Sequence, residues 1–189
     1  MLFFLPPIIV GIAAALATGG TFSRLAALHF QHGWLIPGAF VVQILIFSPL
    51  AAALPASLFL DHPLVVPTLH ILTNLVLIGA ICLNWRVPGM RFVALGLLLN
   101  FAAIAANGGY MPVSGEVLER VGRIEDIQEL RATGHLSKAV LMNDDSRLPF
   151  LADIFAVDVP LMQGRVFSAG DVLISVGAFL LVFNGMRKH

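Results

Sequence analysis

Charge is what this chain has least of. Charged residues make up 12% of its 189 residues, about half the share usual in soluble domains. Long uncharged runs and a mean hydropathy of +0.91 place it among polytopic membrane proteins. A single cysteine, Cys82, excludes a disulfide framework. No basic residue precedes the first apolar run, as a secretory signal would require, so Leu2 onward is expected to be a retained span despite the cleavage-like Ala15-Leu16-Ala17. No Asp, Glu, Lys or Arg falls mid-span, which argues against a proton pump, voltage sensor or ion-coupled carrier. Phosphate loops, basic nucleic-acid patches and nucleophile elbows are missing too, so no catalytic residue and no nucleic-acid partner is assigned.

What is present reads as an all-α integral membrane protein with five transmembrane helices. Four form a membrane region over residues 1–107, with spans near 2–17, 34–60, 64–84 and 92–106. Pro49 is expected to kink the second and Pro55 to end its regular part. Asp61-His62-Pro63 makes the next turn, and Pro88-Gly89 the one after. Residues 108–167 form a small, partly helical extracytoplasmic cap between helices four and five. Residues 168–189 supply the fifth span and a cytoplasmic tail.

Asn107-Gly108-Gly109 closes span four, because Asn and Gly accept the left-handed conformation of a helix end. Ser114 is placed to cap an amphipathic helix in which Val117, Leu118, Val121, Ile124, Ile127 and Leu130 recur at helical spacing. Gly122 breaks that run and Gly134 ends it. Ser168-Ala-Gly-Asp171 fits a capping box at the start of span five.

Orientation follows from charge. Arg24, Arg86, Arg91, Arg187 and Lys188 fall on one side with no acidic residue. The other side carries all eleven Asp and Glu against six Lys and Arg. The positive-inside rule makes the basic side cytoplasmic, with the N-terminus outside and the C-terminus inside.

Polar residues within spans usually face the bundle interior. By helical rise, Gln43, Asn74 and Asn100 come from three helices to one depth, about 13 Å from the inner face. His70 lies one turn outward of Asn74, and Asn107 two turns outward of Asn100. Together the five outline a polar pocket opening outward, fit for a lipid headgroup, a quinone or a small polar ligand. The competing reading is plain interhelical hydrogen bonding. His29 and His32 lack a third metal ligand. Asp144, Asp145, Asp153 and Asp158 lack the spacing of a calcium loop and read as turn residues. No metal and no resident cofactor is expected, and a haem would need a second in-span histidine beside His70.

Three stretches carry a resemblance: Asn107-Gly-Gly-Tyr-Met-Pro-Val-Ser114, Ser146-Arg147-Leu-Pro-Phe-Leu-Ala-Asp153 and Val166-Phe-Ser-Ala-Gly-Asp-Val-Leu-Ile174. They resemble motifs of a family of small bacterial polytopic membrane proteins known only as a domain of unknown function. The resemblance implies a bacterial inner-membrane protein and brings no activity. A physical reason for the motifs is a cap tied down by charge, Arg147 pairing with Asp153 or Asp171. Two functions are expected to compete. One is an accessory or scaffold subunit of a larger membrane assembly. The other is binding or transport of a small ligand, lipid or quinone in the pocket under the cap.

Overall fold

The computed structural model describes residues 4–48, 64–157 and 164–187. Pro49, Pro55, the Asp61-His62-Pro63 turn, Asp158 and the tail at Lys188-His189 lie outside the described residues. The fold is mostly helical. Among the described residues five apolar helices pack in a row: α1 (Leu5–Ala17), α3 (Leu35–Phe47), α4 (Val65–Leu83), α5 (Met90–Ala106) and α8 (Ala169–Arg187), with a short α2 (Phe22–Ala26) between the first two. Among the described residues, α4 and α8, 19 residues each, are the two helices long and apolar enough to cross a membrane by length and composition. Helices α1, α3 and α5 run to 13, 13 and 17 residues. Their principal contacts order the helices α3-α4-α5-α8-α1, a row rather than a closed bundle.

The tightest pair, α5 against α8, is antiparallel and seamed with glycine. Gly89 and Gly96 face Gly177 and Gly170, and both pairs are seven residues apart. A Cβ on Gly96 would meet the carbonyl oxygen of Gly170, and one on Gly177 would stand 2.8 Å from that of Gly89. Small residues let the two backbones touch, the packing that helices use where no hydrophobic effect drives them together. At the basic end, Ala15, Val182 and Met186 form a buried cluster with Leu25. There Asn84 holds the Gln31 backbone at both ends, accepting from its N–H at 2.7 Å and donating to its carbonyl at 2.9 Å.

The cap follows α5. Gly108 and Gly109 both take positive φ, and the Gly109 N–H reaches back to the Ile104 carbonyl at 2.9 Å. Ser114 caps α6 (Gly115–Arg120) through the Val117 N–H. Gly122 breaks the path before α7 (Ile124–Thr133), and Gly134 ends that helix in the left-handed conformation.

The cap also contains short strands where only helix and irregular chain were expected. β1 (Met111–Val113) runs parallel to β2 (Ala139–Leu141), and β3 (Phe155–Val157) pairs antiparallel with β4 (Arg165–Phe167). β1 is bordered on its other side by Asp153, whose N–H donates to Pro112 at 2.9 Å and whose carbonyl accepts from Ser114 at 3.1 Å. Val113, Leu118, Ile127 and Leu130 make the cap's own core. A second cluster, Ala103, Ile104 and Met111 with Leu151, seats the cap on the end of α5.

Candidate functional site

The start of α8 holds the site's most complete polar network. Within the capping box, the Ser168 N–H donates to Asp171 Oδ2 at 3.1 Å and the Asp171 N–H donates to Ser168 Oγ at 3.0 Å. Asn100 closes the ring from α5. Its amide donates to Asp171 Oδ1 at 2.9 Å, and its Oδ1 accepts from the Ser168 hydroxyl at 2.7 Å. Asn100 reaches this ring because the glycine seam brings α5 against α8 one turn away. Asp171 sits in the first helical turn, where the helix dipole favours its charge.

The other four residues of the outlined pocket are placed separately. His70, 2% exposed, bonds through Nδ1 to the Gly109 carbonyl at 2.7 Å and meets the Phe47 ring edge-on. Gln43 donates to the Thr73 hydroxyl at 3.1 Å. Asn74 donates to the His70 carbonyl within its own helix. Asn107 clamps the Arg147 backbone, accepting from its N–H at 2.9 Å and donating to its carbonyl at 2.8 Å. The structure thus brings His70 and Asn107 to the loop that starts the cap, and Asn100 to the start of α8.

The expected pairing of Arg147 with Asp153 or Asp171 is replaced. Among the described residues the one ion pair joins Arg123 to Asp126. Arg147 is held by its peptide groups, because its stretch lies beside the Asn107 side chain and Asp171 already has both oxygens engaged. No group of three or more His, Cys, Asp or Glu suited to a metal comes together among the described residues. In the acidic turn, Asn143 Oδ1 accepts from the Asp145 N–H at 3.0 Å, a local turn bond.

Between cap and helix row lies a cavity of about 280 Å³. Its charged lining is Arg123, Asp126, Lys138, Asp153, Arg165 and Asp171, and Val113, Leu118 and Leu130 supply apolar wall. Asp153 is carried there by its bridge to β1, and Lys138 by the parallel pairing of β1 with β2. Burial pushes the Asp153 carboxyl up to about 7, the Asp171 carboxylate adds to this, and Lys138 and Arg123 pull the other way. Its proton is therefore exchangeable near neutral pH. Elsewhere in the cap Tyr110 stacks on His135 at 5.1 Å, and burial raises the tyrosine's pKa.

The sequence reading named Asp153 and Asp171 but not Arg123, Lys138 or Arg165. Those three are scattered over 43 positions and follow no motif. The parallel contact that places Lys138 joins segments 28 residues apart through a strand containing proline, and proline ordinarily argues against a strand with neighbours on both sides; Arg165 arrives through the separate pairing of β4 with β3.

An uncharacterized protein of Thermotoga maritima is 30% identical over 97 residues, which are 51% of this chain and 52% of that protein. The aligned part thus spans about half the length of the curated relative. No solved structure matches the chain. Residues 27–183 match the family described as a family of unknown function, DUF5317, and the chain belongs to that family.

Proposed function

We propose that this chain is a five-span protein of the bacterial inner membrane, N-terminus outside and C-terminus cytoplasmic, whose cap roofs a binding site for a small ligand. Supporting the span reading are the five apolar helices in one row and the one-sided distribution of basic residues. The described 13 residues of α1 and α3 cover about 20 Å each, so the reading requires local thinning of the bilayer or adjoining apolar chain.

The observation that carries the ligand reading is the cavity at the junction of cap and helices, where six charged side chains converge and one ion pair forms. Concave sites with a few convergent polar groups and a perturbed titration are the default binding hypothesis. The work proposed for this site is binding, and no catalytic role is assigned.

Native mass spectrometry of the protein in mild detergent tests it. A bound small molecule should be present in the wild type and depleted in Ala139→Phe, which fills the cavity wall. A wild type free of any adduct, with stable partner proteins instead, would favour a second reading: an accessory subunit of a larger membrane assembly.

A further inference from the structure

Resting on the reading that the cavity under the cap takes a ligand, we propose that the ligand is a small oxyanion, a phosphate or carboxylate group, received by Lys138, Arg165 and Arg123. The argument is an inventory of charge. Three cations and three carboxylates line the space. Asp126 is taken by Arg123. Asp171 has one oxygen on the Ser168 N–H and the other on the Asn100 amide, so it faces the cavity already satisfied. Burial, and after it the Asp171 charge, disfavour the ionised form of Asp153. Lys138 and Arg165 are left without a carboxylate partner among the described residues.

Arg123 has more N–H donors than one carboxylate uses. Its Nε is buried without a hydrogen-bond partner, as is Oδ2 of its ion-pair partner Asp126, so the donors it can offer an oxyanion are those its pairing with Asp126 leaves over. Guanidinium groups bind carboxylate and phosphate through paired N–H donors, and an ammonium adds a point charge. A protonated Asp153 would be a further donor. The size also selects. At about 280 Å³ the cavity lies just below the range of about 300–1,000 Å³ usual for drug-sized ligands. It suits a headgroup or a free small anion, and its six charged side chains disfavour an uncharged quinone ring.

Binding should also depend on pH. The groups around Asp153 are Asp171 from α8, Lys138 at the edge of β2, Arg165 on β4, and Arg123 with Asp126 at the start of α7. With Asp153 protonated, the lining carries three positive and two negative charges; ionised, the balance is zero.

The test uses the full-length protein in mild detergent, with melting curves and titration calorimetry at matched ionic strength. Sulfate, whose charge is constant between pH 6 and 8, phosphate and acetate are the free anions. A second arm compares nanodiscs containing phosphatidylglycerol with nanodiscs of phosphatidylcholine alone. A response to the free anions identifies a soluble ligand, and a response to phosphatidylglycerol alone identifies a lipid headgroup. Either supports the proposal. Lys138→Met and Arg165→Gln should each weaken binding about tenfold or more, and Lys138→Arg should restore most of it. Sulfate should bind about tenfold tighter at pH 6 than at pH 8, and equally at both in Asp153→Asn. No response in either arm, or an undiminished response in the two charge-removing variants while they still melt cooperatively, overturns the oxyanion. If an adduct lost in Ala139→Phe is nevertheless present, the ligand site stands and only its chemistry is wrong; without one, both readings fall.

Discussion

Asp153 shows how much a single carboxyl can be asked to do by its neighbours. Its backbone completes the border of β1, so its position is fixed, while its side chain is forced into a space already occupied by the Asp171 charge. Below about pH 4 the group is protonated folded and unfolded alike, its ordinary value being 3.8. Between there and about 7 the unfolded chain loses the proton and the native state keeps it. The native state then binds more protons, so this residue's contribution falls as pH rises through that window and levels off above it. Melting curves of the ligand-free protein should show Asp153→Asn gaining on the wild type from pH 5 to pH 8. An equal difference at both ends would mean that Asp153 is not held neutral in the fold. Asn100 makes a complementary point about amides. Helical rise puts it at one depth with Gln43 and Asn74. Its partners depend on which neighbouring helix lies within reach, and that is decided by α8, 68 residues further on.

Among the elements, α5 and α8 hold the site in place. Ser168 and Asp171 are set by their own capping box, a local pattern that could be read from four consecutive residues. The approach of Asn100 depends on Gly96 and Gly170, whose role appears only when the helices are paired. Gly96→Ala should therefore destabilise by about 1–3 kcal/mol, the usual cost of overpacking, and should weaken the Asn100 bonds to α8. Gly79→Ala is the matched control. It lies on an exposed face of α4 with nothing within 4 Å of a built Cβ, so helix propensity alone acts and favours alanine by up to about 1 kcal/mol. Opposite signs for the two variants in thermal melts would confirm the seam, and equal signs would refute it. The same contrast explains what could be read in advance. Helix ends at Asn107-Gly108-Gly109, Gly122 and Gly134, and the caps at Ser114 and Ser168, depend on residues a turn apart. The strands depend on pairings at a distance, and three-residue strands carry too little alternation to announce themselves.

For the molecule as a whole, everything proposed about the cavity is tied to the side of the membrane it faces. The cap is built on the ends of α5 and α8 opposite to Arg86, Arg91 and Arg187. Trp85 lies at that basic end with Arg91 5.0 Å above its ring, an arrangement suited to an interfacial anchor. Exposed positions at the two ends report the orientation directly. In a Cys82→Ala background, Glu125→Cys should react with a membrane-impermeant thiol reagent in intact cells. Arg187→Cys should react only after permeabilisation. With that result the oxyanion site opens to the outside, where a free anion or an outer-leaflet headgroup would enter between cap and helix row. The reverse result would turn the molecule over. The cavity would then face the cytoplasm, the charge asymmetry would run against the positive-inside rule, and the ligand would have to come from the cytoplasmic pool or the inner leaflet. The cavity's residues and geometry are the same in either case, so labelling decides the source of the ligand independently of whether the site binds one.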